Sequence, residues 1–316
     1  MPIRKNSDID DRGRLHTNDP AVSIRLATFD QYRSLLFSIA YRMLGSVADA
    51  EDMLQETYIR WQETSDDTIR SPRAFLVTIV SRLCINHLQS ARVQREEYVG
   101  QWLPEPIVTD LGSDPLEIIK IDESLSMAFL VLLERLTPIE RAVFLLHEVF
   151  EYEYSEISAV LGQSEVNCRQ ILRRARQHVS AMRPRFEAST KKQNDLLQRF
   201  LEAIETGDME GLLALLSRDV VLHSDGGGKA VGVPNLVQGV DNVIRGILGA
   251  FKKLLPKTLV RRPARINGTP GVVSYLDGKP YSVVTLDVAD GRVQAIYILT
   301  NPEKLAHLPE LSANSN

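Results

Sequence analysis

Apolar positions in the first third of the chain recur with helical spacing. Leu35, Leu36, Ile39, Ala40 and Met43 share one face between residues 30 and 44. Gly45 ends that run, and Ser46, with Asp49 three residues on, has the form of a helix start. Ala50, Met53, Leu54, Thr57, Tyr58 and Trp61 then fall at i, i+3, i+4, i+7, i+8 and i+11, which predicts a second helix with a complete core stripe. After "SDDTIRSPRAF", Ser71 and Pro72 open a third helix whose apolar face holds Phe75, Leu76, Ile79, Leu83, Ile85 and Leu88.

The same period returns in "YSEISAVLGQSEVNCRQILRRARQHV", residues 154–179, but interrupted. Ile157, Val160 and Leu161 give one helix its apolar face, Gly162 makes a turn, and Ser164 caps the next helix. In that next helix Cys168, Ile171, Leu172, Ala175 and Val179 face inward, while Glu165, Arg169, Arg173 and Arg176 share the opposite stripe. Such a pair is a helix-turn-helix, and arginines on its second helix suit a DNA major groove. An RNA-binding or merely solvated basic surface has the same pattern.

From Lys191 the pattern changes. Two helices with a turn at Gly207-Asp208 lead into a strand, "DNVIRGILGAFKK" is another helix, and three or four strands follow. Their turns fall at Asn267-Gly268, Asp277-Gly278 and Asp290-Gly291. The expected architecture is an α+β cone with a curved antiparallel sheet. His223 and Asp225, two apart on a strand, share a face and form a conceivable acid–base pair; the plainer reading is a strand-end histidine and a turn aspartate. "SDGGGK" (224–229) suggests a phosphate loop and fails as one. Lys229 is followed by Ala230, no glycine stands at the required upstream spacing, and no helix starts after it.

Charge sharpens the picture. The 316 residues carry a formal net charge of −4 and are 44% hydrophobic, enough for more than one core. Residues 49–67 hold seven acids against Arg60 alone, whereas residues 70–95 hold five arginines and no acid. Residues 164–183 hold five more arginines, with Glu165 the one acid. Two local basic stretches in an acidic chain point to two polyanion contacts. Cys84 and Cys168 read as buried reduced thiols, and no metal set or cofactor motif stands out. His147 reads as a bundle residue rather than a ligand. Without a membrane-length apolar run or a signal-peptide core, a soluble cytoplasmic protein is expected.

"YRMLGSVADAEDMLQETYIRW" followed by "SPRAFLVTIVSRLCINHLQSARV" closely resembles region 2 of the extracytoplasmic-function sigma factors. The resemblance implies that an acidic helix, with Asp49, Glu51, Asp52, Gln55 and Glu56, docks on core RNA polymerase. It implies that Arg73, Arg82, Asn86, His87, Arg92 and Arg95 hold the −10 element as single-stranded DNA. Phe75 and Tyr98 are the aromatics available for base stacking between residues 70 and 98, so melting power should be modest. "LERLTPIERAVFLLHEVFEYEYSEIS" with the helix-turn-helix resembles region 4, which reads the −35 duplex. Ser164, Glu165, Asn167, Arg169, Gln170, Arg173, Arg174 and Arg176 are its candidate contacts. Ile171 departs from the polar or basic residue common at its position, so individual base contacts do not transfer.

Three short motifs complete the resemblance, to the group carrying a fused SnoaL-like extension. They are "WLPEP" (Trp102, Leu103, Pro104, Glu105, Pro106), "DGGGK" (Asp225, Gly226, Gly227, Gly228, Lys229) and "NPEKL" (Asn301, Pro302, Glu303, Lys304, Leu305), the last with Glu303 where Asp is usual. This implies a non-enzymatic, cofactor-free arrangement of a tail (1–24), region 2 (25–98), a flexible linker (99–121), region 4 (122–186), a regulatory SnoaL-like domain (190–306) and a tail (307–316). The extension would act in cis in place of a separate anti-sigma factor, in a chain that is monomeric when free. The glycine loop is expected to clasp the linker through Trp102 burial and a Glu105–Lys229 pair. The alternatives are a helix-turn-helix regulator independent of polymerase, and a regulator carrying an active cyclase or isomerase cone.

Overall fold

The structure, a computed structural model, describes residues 20–65, 69–96, 98–109, 125–180, 190–230, 232–233, 235–254, 256 and 258–311. The expected tail over 1–19, the linker from 110 to 121, Arg183 and the end of the chain after 311 lie outside the described residues.

Three helices form the first unit: α1 (Pro20–Leu44), α2 (Val47–Glu63) and α3 (Pro72–Glu96). Ser46 caps α2, accepting the amide of Asp49 at 3.1 Å. The first helix begins ten residues before the expected start at 30, inside the segment read as a tail. Arg25 explains the extension. It donates to the carbonyls of Gln62 (3.2 Å) and Thr64 (2.5 Å) at the end of α2, and its guanidinium lies 5.2 Å from the Trp61 ring.

The second unit contains α4 (Met127–Leu133), α5 (Pro138–Glu148), α6 (Tyr154–Leu161) and α7 (Glu165–Ser180). Thr137 and Glu140 form a capping box on α5. Gly162, at φ 67°, closes α6 and turns the chain into α7. The two helical units do not stand apart: Leu36, Trp61 and Leu76 share one apolar core with Phe144, Ile157 and Leu172. Arg141 also crosses the boundary, its Nη1 donating to the Met43 carbonyl at 2.6 Å.

The third unit runs α8 (Thr190–Thr206), α9 (Met209–Leu215), β1 (Leu216–Asp225), β2 (Val237–Gln238), α10 (Val240–Leu254), β3 (Val260–Ile266), β4 (Thr269–Leu276), β5 (Lys279–Ala289), β6 (Arg292–Leu299) and α11 (Pro302–Leu305). The strand order is β2-β1-β6-β5-β4-β3. The sheet is mixed rather than antiparallel, because β1 runs parallel to β6. Tight turns force β3 to β6 to alternate, with Asn267, Asp277 and Asp290 all at positive φ. No such turn joins β1 to β6, so its direction is free.

The linker is a fixed part of the third unit up to residue 109, which corrects the expectation of flexibility. Leu103 and Ile107 are buried, Leu103 among Ile266, Leu299 and Leu305. Val108 bridges antiparallel to Ile266, and the Thr109 amide donates to the Arg265 carbonyl at 3.2 Å, so the linker extends the sheet at the β3 edge. Residues 307–311, read as tail, also pack: Leu308 is buried and the Leu311 amide donates to the Gly278 carbonyl at 2.8 Å.

Candidate functional site

The acidic face of α2 leaves Glu51, Asp52 and Gln55 exposed and Asp49 and Glu56 half-buried. The helix turns this face out because Ala50, Leu54, Thr57 and Trp61 occupy the opposite, buried stripe. Glu56 pairs with Arg60 one turn on, at 2.8 Å.

Along α3, Arg73, Arg82 and Asn86 are exposed and His87 is half-buried. Arg73, Arg82 and His87 are each engaged within the chain in this arrangement. Arg82 Nε donates to the Val160 carbonyl at the end of α6, at 2.8 Å. Arg73 lies 4.9 Å from the ring of Tyr152, and His87 faces Asp49 of α2 at 3.6 Å. Phe75 packs against Trp61, with ring centroids 6.0 Å apart. Arg92 and Arg95 sit on the last turns of α3, where side chains lie outside the described residues.

In α7 the division of faces matches the spacing. Cys168, Ile171, Leu172, Ala175 and Val179 are buried, and Arg169, Gln170, Arg173, Arg174 and Arg176 are exposed. Ile171 is buried, so its departure from the usual residue type does not touch the exposed arginine face of α7. Ser164 is committed as a cap, accepting the amide of Asn167 at 3.2 Å. Arg169 pairs with Glu165 at 2.9 Å, and Arg176 with Glu148 at 2.5 Å.

The three short motifs meet at one point. Asp225, at the end of β1, is completely buried, and its carboxylate receives four donors. Oδ1 accepts from the Tyr98 hydroxyl (2.5 Å) and the Gly227 amide (3.0 Å); Oδ2 accepts from the Leu103 amide (2.9 Å) and Lys304 Nζ (2.7 Å). Lys304, 7% exposed, also donates to the Leu103 carbonyl and lies 4.2 Å from the Trp102 ring. A buried charge pair that also satisfies a peptide group on both sides meets the condition for tolerating such burial. Burial and the neighbouring carboxylate push the Tyr98 hydroxyl pKa up, which keeps it a donor. Asn301 caps α11 and donates from Nδ2 to the Tyr98 hydroxyl at 2.9 Å. Gly227, at φ 59°, leaves room for this approach, since a Cβ there would stand 2.4 Å from Asn301 Nδ2.

The expected Glu105–Lys229 pair does not form. Glu105 instead covers the start of α2, accepting from the Ser46 hydroxyl (3.0 Å) and the Val47 amide (2.6 Å), where orphan amides and the helix dipole favour a carboxylate. Lys229 pairs with Glu303, both largely exposed. Trp102 is half-buried rather than deeply covered, its ring edge set against Gly45, where a Cβ would lie 2.5 Å away. The motifs left out partners of equal weight. Asn267, 1% exposed, accepts the Ile107 amide (3.0 Å) and donates to the Tyr41 hydroxyl (2.7 Å), and Tyr41 donates to the Glu105 carbonyl (2.5 Å). His307 Nε2 lies 2.9 Å from the Pro106 carbonyl oxygen. Asn267 had a signal, its Asn-Gly turn, but that signal concerns the backbone and not the side chain.

The acid–base pair is also redistributed. Leu222 and Ser224 line the cavity of the cone, so His223 and Asp225 lie on the other face of β1. His223 stacks on Tyr297 at 5.0 Å, and burial, with Arg135 nearby, pushes its pKa down to about 4. His147 packs on Tyr154 and lies 3.2 Å from Glu148. No cluster of three metal-ligating side chains occurs among the described residues, and no described helix is long and apolar enough to cross a membrane.

A three-helix unit with an acidic face, beside a helix-turn-helix with an arginine face, defines the class. Residues 28–93 match Sigma-70 region 2 and residues 126–179 match Sigma-70, region 4. The chain is 38% identical over 297 residues to the ECF RNA polymerase sigma factor SigJ of Mycobacterium tuberculosis, covering 90% of this chain and 95% of that one. It is 31% identical over 282 residues to the probable ECF RNA polymerase sigma factor SigI of the same species, covering 88% and 94%. The crystal structure of the M. tuberculosis SigJ superposes with a TM-score of 0.71 at 36% identity, over 89% of this chain and 98% of that one. The chain belongs to the extracytoplasmic-function (ECF) family of RNA polymerase sigma factors. Its third unit is the α+β domain that accompanies regions 2 and 4 in this fold.

Proposed function

We propose that the third unit regulates initiation in cis by holding the linker, and that the closed packing of regions 2 and 4 is the restrained form. The observation that carries this is the Asp225–Lys304 pair, which grips the Leu103 peptide at both its amide and its carbonyl. In a promoter complex, region 4 takes the −35 duplex while region 2 takes the −10 strand, so Arg82 has to leave the Val160 carbonyl and Arg73 the Tyr152 ring. With the linker gripped through residue 109, only residues 110–124 connect the held segment to α4. Fifteen residues span at most about 50 Å, against about 95 Å for all 28 residues from 97 to 124. Releasing the grip roughly doubles the reach. A monomeric chain that needs no separate anti-sigma factor and has no catalytic role fits this self-contained restraint.

Within that scheme the exposed acids of α2 contact core polymerase, α3 contacts the −10 strand and α7 reads the −35 element. Reconstituted transcription from a promoter library tests the division. Reversing Asp52 and Glu56 to Lys abolishes core binding with the helical fold retained. Arg173→Ala relaxes −35 selection by about 1–3 kcal/mol if it touches a base edge. Unchanged −35 selection by variants at both Arg169 and Arg173 overturns the assignment of α7.

A further inference from the structure

The cone encloses a cavity of about 170 Å³ that none of these contacts uses. Its wall is mainly apolar, with Phe200, Ile204, Leu222, Ile247, Val272 and Ile298. An engineered cavity of roughly 150 Å³ with walls of this kind takes up benzene, so the volume suits a single ring. Space is also left open on the helical side. Gly246 of α10 lines the cavity, and a Cβ built there meets nothing within 4 Å. A glycine inside a helix costs about 1 kcal/mol relative to alanine.

The apolar lining is broken by Ser224, Arg261, Ser274, Tyr281, Ser282 and Thr300; of these, Ser224 accepts the Val233 amide at 3.2 Å and Thr300 donates its hydroxyl to the Asp225 carbonyl at 3.3 Å. Ser274 and Ser282 are cross-strand partners on β4 and β5, they line the cavity, and they are 4% and 5% exposed. No hydrogen bond ties either hydroxyl to another group among the described residues, and both oxygens open onto the cavity. Two hydroxyls side by side that face an apolar cavity are free to bond a ligand that brings its own polar atom. The charged group on the wall, Arg261, already pairs with Glu205, so an anion would have to displace a carboxylate.

We propose that the cavity is a binding site for an uncharged, single-ring apolar molecule bearing one hydrogen-bonding oxygen, with that oxygen held by Ser274 and Ser282. This site lies apart from the promoter and polymerase contacts but borders the linker grip: of its wall residues, Thr300 donates its amide to the Asp225 carbonyl at 2.8 Å and Val233 accepts from Gln101 of the linker at 3.4 Å.

Calorimetric titration of the full chain with phenol, toluene and benzoate tests it. Phenol is expected to bind saturably at one site, more tightly than toluene or benzoate. Ser274→Ala with Ser282→Ala is expected to weaken phenol about tenfold and leave toluene unchanged. Gly246→Leu is expected to abolish binding of both, and Ala250→Leu serves the same purpose should the first variant lose its cooperative melting. Failure of the wild-type chain to bind phenol saturably overturns the proposal. So does phenol binding that survives in a folded cavity-filled variant, or a phenol preference that survives loss of both serines.

Discussion

Lys304 Nζ lies 2.7 Å from Asp225 Oδ2 in a pair almost wholly withdrawn from solvent, and both side chains also bond the peptide of Leu103. The pair therefore ties three distant segments together: the end of β1, the linker and α11.

Removing one partner of a buried pair leaves an uncompensated charge. Lys304→Met should cost about 3–5 kcal/mol in the third unit, measured by denaturant unfolding. Asp225→Asn combined with Lys304→Met should cost clearly less than the sum of the single changes. Additive losses would mean that the two charges do not depend on one another.

Glu105 and Lys229 should behave differently, because they serve different partners. Glu105→Ala removes the carboxylate from the start of α2 and should cost about 1–2 kcal/mol, in the range of a lost helix cap. Lys229→Ala breaks an exposed pair with Glu303 and should cost no more than about 1 kcal/mol. Thermal unfolding of the two variants separates them, and a larger loss at Lys229 would contradict these assignments.

That contrast shows what could be read in the sequence. The faces of α2 and α7 were legible because helical spacing is local, and the turns at residues 267, 277 and 290 were legible because Asn-Gly and Asp-Gly carry backbone geometry. A meeting of the glycine loop with the linker was legible, without the third motif. Their pairing was not: Lys229 was matched with Glu105, and nothing local says that Glu105 sits beside the orphan amides of Val47 and Ala48. Asp225 read as a turn residue because its four donors come from Tyr98, Leu103, Gly227 and Lys304, three of them far away in sequence. The shared core of regions 2 and 4 was equally hidden, since each helix-turn pattern closes on its own.

His223 makes stability depend on pH in a stated direction. Its folded pKa of about 4 lies below the ordinary 6.5, so folding favours the neutral ring. The contribution is complete above pH 6.5 and is lost as pH falls towards 4. His223→Phe keeps a ring beside Tyr297 without titrating, so it should gain on the wild type by about 3 kcal/mol across that window. Asp287, pushed up to about 6 by burial, works in the opposite direction but is common to both proteins. A constant difference between pH 7 and pH 4 would refute the assignment.

Run-off transcription by core polymerase saturated with either the wild-type chain or Asp225→Asn tests the restraint most directly. With folded protein matched between the two, the account predicts more transcript per holoenzyme from Asp225→Asn, because the linker is released and regions 2 and 4 separate more readily. Equal or lower output from Asp225→Asn, with its linker shown by amide exchange to be loosened, would contradict it.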